Sequence, residues 1–447
     1  MSVTTRIDTD IVIAGCGPSG ALLACLLARL GYGVVAVHAA PRPARIEGLG
    51  QRTIDVMRAH GLVRALSAVD KPVRRRAHWG GEAGDYNQEF IVSRDTFDAA
   101  LIEDARSAGI VCIAGRCGTI QLDETGCVLD IETDDGSIGH VNARFFVEAR
   151  GRAAPRVRSG GLHGPKTTGL IREVAASGVP GTVIEGFRDG WAWFVSSRNQ
   201  AFLQIFVDST QGLPKRDGLA AYHEQLCGHL KHIPQISRVN CTGPVISRNA
   251  MSLLSPDLVA GCSLRLGDAA VALDPLSGHG MFAAFGSALA ACATINTILQ
   301  QPGNADLAQK FYSDRAIHAA MRNARIGRDF YRLETAWRDQ PFWAARSQWP
   351  DDEPAHEPAG SLPASIQHMP VVANSLITEA PVVVTADHPR GVWRVDDVAL
   401  APLLEMVRRS DRTGANELVE ILAGQLKVRP IQVANALNWL RSAGAIS

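Results

Sequence analysis

The stretch "TDIVIAGCGPSGALLACLLARLGYGVVAV", residues 9–37, decides how the chain begins to fold. It opens with a short apolar run of the kind buried on both faces of a sheet and breaks at "CGPSG". It then continues as an apolar segment of helix length closed by Gly, and ends in a second buried run, "VVAV". This is a β-α-β unit in which Gly15-x-Gly17-x-x-Gly20 lies between strand and helix. Glycines there permit the tight turn and let a dinucleotide pyrophosphate approach the helix N-terminus, where unpaired N–H groups and the helix dipole favour anions. The same pattern also suits a Gly-rich turn of an α/β fold that holds no ligand. An acidic residue that would hold the adenosine ribose is missing from the end of the second strand. His38 stands there, and a neutral imidazole is able to accept a ribose hydroxyl.

With 447 residues the chain exceeds one ordinary core, so two or three domains are expected. Hydrophobic residues at 46% and charged residues at 20% describe a globular protein. The 45 Lys and Arg balance 45 Asp and Glu, which removes the global electrostatic case for nucleic acid or membrane as main partner. The N-terminus lacks the basic, apolar and small-residue regions of a signal peptide. No run of roughly 18 consecutive apolar residues occurs, so no membrane span is expected. Nine scattered Cys, several in apolar runs, read as buried free thiols of a cytoplasmic protein.

Further along, 50–68 and 94–109 read as helices, and "CVLDIETDDGSIGHVNARFFVEA" as strands joined by a turn at Asp135-Gly136. The runs "GTVIEGF", "GWAWFVSS" and "AFLQIFVDS" between 167 and 250 suggest an antiparallel sheet inserted into the α/β chain as a substrate platform. An Arg-rich helical stretch covers 305–346, and "WPDDEPAHEPAGSLP" reads as a linker. The tail has a helix-turn-helix flavour, yet its second helix offers only Arg429 and Arg441. Docking of a partner protein or closure over an active site therefore suits it better than reading nucleic acid.

A second stretch narrows the chemistry. In "GDAAVALDPLSGHGM", residues 267–281, a lone carboxylate precedes a Pro-Gly cluster and an Ala-rich helix. Together with Gly15, Gly17 and Gly20 and with "EARGR" at 148–152, it resembles the three fingerprints of flavoprotein monooxygenases of the aromatic-hydroxylase fold. Flavin-dependent halogenases and geranylgeranyl-reductase-like enzymes share that fold. Arg150 stands where the middle fingerprint of the family has Thr. The resemblance covers about residues 8–335 and implies an α/β fold with a Rossmann-like FAD-binding domain, an inserted antiparallel β-sheet substrate domain, and a small, mainly helical C-terminal domain. The corresponding boundaries are 1–72, 94–160 and 255–335 for the FAD domain, and 73–93 with 161–254 for the substrate domain. Residues 336–375 would be a helical, Pro-rich linker, and 376–447 a winged-helix-like unit.

By the same resemblance FAD is the cofactor, NAD(P)H or another reductant the electron donor, and O2 the cosubstrate. Gly267 and Asp268 would meet its sugar chain, with Arg52 and Arg94 as further FAD contacts or as surface arginines that merely cap or pair. Pro275, Gly278, Gly280 and Met281 would bring a helix N-terminus to the flavin edge, where free N–H groups stabilise the negative charge of the reduced ring. His279 either faces the oxygen-reacting side, beside a flavin hydroperoxide, or packs away from it. Trp191 and Trp193 share one strand face and form either a core pair or a substrate platform.

Halogenases need a Lys to carry the halogen, and the first 160 residues contain only Lys71, so hydroxylation is favoured. Residues 42–62 and the appended C-terminal domain with "HPRGVWRVDD" resemble the flavoproteins that mature tryptophylquinone cofactors, the peptidyl tryptophan dihydroxylases. This implies a protein substrate, the small subunit of a quinohemoprotein amine dehydrogenase, within a radical-enzyme maturation complex. The alternatives are a small-molecule hydroxylase or halogenase, and a flavin reductase of the geranylgeranyl-reductase type.

Overall fold

The computed structural model of the chain describes residues 5–39, 46–134, 136–155, 160–175, 180–197, 200–233, 243–356, 364–409 and 415–446. Two compact units are present: Met1–Ile295 with Tyr312–Ala355, and Asn296–Phe311 with His356–Ser447.

In the larger unit the opening run forms Thr5–Ala14, which is parallel to Val34–His38 on one side and to Ile138–Glu148 on the other. Val34–Val37 are all buried, as a strand covered on both faces demands. Val111–Leu122 extends the sheet beyond Val34–His38, and Ser263–Arg265 extends it beyond Ile138–Glu148, again in parallel. Cys127–Thr133 is antiparallel to both long strands; Asp135 of the expected turn lies outside the described residues. Register makes Ala14, Glu148 and Arg265 cross-strand neighbours. The three loops that follow them therefore leave the sheet side by side at its carboxyl edge, the usual place for a ligand in an open α/β sheet.

A second sheet has eight strands, in the order Ile246–Asn249, Thr167–Val174, Ala201–Asp208, Gly190–Ser196, Gly181–Phe187, Val69–Trp79, Glu82–Ser93 and Ile46–Leu49. The inserted runs pair antiparallel as their alternation suggests, and the early hairpin 69–93 joins them through Gly181–Phe187. One face, with Ala192, Phe194, Leu203 and Ile205, packs on Leu219 and Leu226 of the helix Leu219–Cys227. The other, with Trp191 and Val195, packs against Leu276 and Ile46.

Two expectations need correction. The single helix expected at 50–68 is two, Gln51–Ala59 and Val63–Ser67, because Gly61 turns the chain at φ +65°. The boundary at 376 falls between paired strands: Ser365–Ala373 pairs with Leu376–Thr385, which continues to His388–Val392. The C-terminal segment remains mainly helical, with its strands ahead of its helices. Its helices Leu400–Arg408, Ala415–Leu426 and Pro430–Ser442 bury Leu403, Leu404, Leu422, Val433 and Leu440 in one core. Gly280–Gln300 is long and apolar enough by composition to cross a membrane. Phe285, Ala288, Ala291 and Ile295 are nevertheless fully buried, as in a core helix.

His223, fully buried on the helix behind the second sheet, reports on this packing. Burial, and then the nearby Arg172, push its imidazole from the usual 6.5 down to about 4. In the unfolded chain it takes a proton as pH falls below about 6.5, whereas the folded chain resists until about 4. Stability should therefore decline across this window by about 3 kcal/mol. Denaturant unfolding at several pH values should show the decline in the parent and a flatter profile in His223→Gln.

Candidate active site

The three loops at the sheet edge meet closely, the first two through their backbones. Gly15 has φ +113°, and a Cβ there would lie 2.4 Å from the carbonyl oxygen of Ala149. A Cβ on Gly20 would lie 2.0 Å from the Gly15 oxygen. Gly17, by contrast, faces open space at the N-terminus of Pro18–Arg29, with no side-chain cap on that helix end. Gly267, at φ +58°, approaches so closely that a Cβ would meet the Ser19 Oγ at 2.5 Å. Arg152 binds the strands into this arrangement: its Nη1 donates to Met251 O, its Nη2 to Leu273 O, and its Nε lies 3.5 Å from Asp268 Oδ2. The three glycine-bearing segments from distant parts of the sequence are thus one construction with an uncapped helix N-terminus at its centre.

A family described as "FAD binding domain" matches residues 8–208. A peptidyl tryptophan dihydroxylase essential for tryptophylquinone cofactor biogenesis, QhpG, has 36% sequence identity and a TM-score of 0.82, covering 98% of this chain and 100% of that one. The chain belongs to the FAD-dependent monooxygenase and halogenase family.

Two halogenases are similar to the chain at lower identity, in sequence or in fold. The tryptophan 2-halogenase of Chondromyces crocatus is 25% identical over 411 residues, 83% of this chain and 76% of that protein. The halogenase CmlS shares the fold, with a TM-score of 0.75 at 18% identity over 98% and 95% of the two chains.

The residues present fit an FAD. His38 ends the second strand with its Nδ1 3.4 Å from Ala39 O, while its Nε2 is buried and has no hydrogen-bond partner among the described residues. Burial holds this imidazole below its usual range, so the neutral ring presents Nε2 as an acceptor. Asp268 stands beside Gly151, half-exposed near Arg152. Arg52 is exposed in the first turn of Gln51–Ala59. Arg94 is instead largely buried: it pairs with Glu47 at 2.7 Å and binds both oxygens of Asp98 at 2.9 Å. It anchors the strand that leads to Arg52.

At the third fingerprint the Asp274 side chain caps a short turn, Pro275–Ser277, by accepting from Leu276 N at 2.9 Å. Gly278 closes that turn in the left-handed conformation, and the helix starts at Gly280 with open space around it. Met281, in its first turn, is buried. His279 is exposed between the two glycines, and its backbone N donates to Ser277 Oγ. Desolvation on its protein side, and the cations Arg75, Arg52 and Arg322, push its imidazole below the usual range. The flavoenzyme therefore gathers positive charge around a neutral His at this turn, a setting that stabilises an anion.

Of the two indoles, Trp191 belongs to the core. It is 2% exposed, stacks on Phe206 and donates its Nε1 to Tyr331 Oη at 3.2 Å. Trp193, half-buried, packs against the clusters of both Leu276 and Ile46. Tyr331 donates in turn to Asp274, 3.1 Å away, so a chain of hydrogen bonds ties the sheet to the turn that starts the helix. Tyr331 and Asp274 escaped sequence reasoning because their contact spans 57 residues. Arg75 lay hidden in the run 74–76, although period-2 alternation separates it from its neighbours.

Two outcomes test the site. Asp268→Ala should purify without the yellow colour of bound flavin, as read by visible absorbance. Tyr331→Phe leaves Trp191 Nε1 and Asp274 short of a partner and should cost about 1–3 kcal/mol in denaturant unfolding.

Proposed function

We propose that this flavoenzyme is a monooxygenase that hydroxylates an electron-rich aromatic ring, namely the indole of a Trp side chain within a protein substrate. Its product would be a dihydroxylated indole on the way to a tryptophylquinone. The observation that carries the reading is the full-length likeness, at 36% identity, to a peptidyl tryptophan dihydroxylase. A feature of the site favours hydroxylation over halogenation. Lys71 is exposed, whereas the cation that approaches the Gly278 turn from the second sheet is Arg75, its Nη1 3.4 Å from where a Cβ on Gly278 would lie. A guanidinium stays protonated and makes a poor nucleophile for carrying a halogen.

When bound, FAD reduced by NAD(P)H or another donor would supply an electrophilic oxygen from O2. The protein's own residues would contribute as follows. Gly15, Gly17 and Gly20 admit a pyrophosphate to the N-terminus of Pro18–Arg29, while His38 Nε2 and Asp268 are acceptors for sugar hydroxyls. The N–H groups of the first turn from Gly280, with Arg52 and Arg75 nearby, oppose negative charge at the isoalloxazine edge. His279, kept neutral, is able to accept a proton at a ring nitrogen and pass it to solvent. An indole attacks an electrophile with its own π-electrons, so no strong base is required to start the reaction.

The partner that fits this reading is the small subunit of a quinohemoprotein amine dehydrogenase, met during radical-enzyme maturation. The reduced flavoenzyme should be incubated with the unmodified subunit under isotopically labelled O2. Mass spectrometry should find one or two labelled oxygens on a Trp residue. Reoxidation of the flavin with no label in the subunit would refute the reading.

A further inference from the structure

On the face of the second sheet that carries Trp193, Arg75 and Glu89 form an ion pair, Arg75 Nη1 lying 3.0 Å from Glu89 Oε1. The two side chains are only 26% and 13% exposed. Glu89 Oε2 is buried and has no hydrogen-bond partner among the described residues. Arg75 thus serves one carboxylate oxygen and leaves the other without a donor.

Two glycines flank the pair. A Cβ on Gly48 would lie 2.8 Å from Glu89 Oε2, and one on Gly278 would lie 3.4 Å from Arg75 Nη1. The pair therefore bridges the strand Ile46–Leu49 and the turn that starts the Gly280 helix. Val73, directly across from Glu89 on the neighbouring strand, belongs to the apolar cluster of Ile46, Ile91 and Val195, against which Trp193 packs. A carboxylate oxygen withdrawn from water beside an apolar, aromatic surface is costly unless a donor arrives.

We propose that Glu89 is the hydrogen-bond acceptor for the substrate ring: Oε2 receives the N–H of an indole, and Arg75 holds the carboxylate in place. The proposal rests on the reading of the enzyme as an aromatic hydroxylase and adds how its ring is recognised. Indole is apolar except for one donor and has no acceptor, so a site for it needs one acceptor set in an apolar wall. A carboxylate at the ring nitrogen also pulls on the N–H proton and enriches the ring in electrons, which suits attack on an electrophilic oxygen.

The test uses the FAD-loaded full-length enzyme, titrated with skatole and with N-methylskatole while flavin absorbance is followed. The parent should bind skatole at least about tenfold more tightly, the difference expected for one hydrogen bond to a charged acceptor. Glu89→Ala should keep its FAD and lose that preference. Glu89→Gln, whose amide oxygen still accepts, should recover part of it. Gly48→Ala approaches from the other side: its Cβ displaces Oε2, and the preference should fall with Glu89 intact. A preference that survives in Glu89→Ala overturns the proposal, as does one that survives in Gly48→Ala should the former not fold. Loss of FAD from Glu89→Ala also overturns it, by assigning the oxygen to the cofactor, and so does a parent that does not distinguish the rings. Labelled oxygen on Trp without an N–H preference sinks the Glu89 assignment alone. A clear preference without oxygen insertion sinks the hydroxylase reading instead.

Discussion

The close approach of Gly15 to Ala149, and of Gly20 to Gly15, is the constraint from which the rest of the active site follows. With a Cβ at either position only 2.0–2.4 Å from a carbonyl oxygen, no other residue fits without moving a strand or the first helix. That contact sets how far the helix N-terminus stands from the carboxyl ends of Thr5–Ala14 and Ile138–Glu148. Gly267 packs against the side chain of Ser19 on the first helix, next to Asp268. Backbone packed on backbone leaves a cradle of N–H groups whose position does not depend on flexible side chains.

The second sheet solves a different problem. Its rear face is an ordinary apolar core against a helix, whereas its front face mixes Trp193 and Val195 with Gln204, Arg75 and Glu89. Gln204 is satisfied by Ile46 O at 3.3 Å, so the front is hydrogen-bonded where it supports structure. Glu89 Oε2 and Thr182 Oγ1, the latter beside Val195 and Arg75, are buried here without a partner among the described residues.

Much of this was legible in the sequence, for a physical reason. A requirement for bare backbone can be written only as glycine, and a strand buried on both faces only as an unbroken apolar run, so residues 9–37 and 267–281 announced their roles. Arg94 could be located but not interpreted, because its carboxylate partners Glu47 and Asp98 are spread over 51 residues of chain. The fate of Trp191 depended on Tyr331, which no local pattern connects to it. The C-terminal boundary was missed since Ser365–Ala373 follows a Pro-rich polar stretch and half of it is only partly buried, which blurs its alternation.

The larger unit is also discontinuous in the chain, and this bears on how it is made. The fingerprints and both of its large sheets are complete in sequence before residue 296, where the chain passes into the smaller unit. Tyr331, Trp343 and Arg346 come afterwards, and they supply the partner of Trp191, a fully buried aromatic and a guanidinium that joins Asp208 to Lys166 O. On the ribosome the sheets must therefore wait, with part of their apolar surface uncovered, until about residue 355 has emerged. Release of the finished fold is therefore a late event in synthesis.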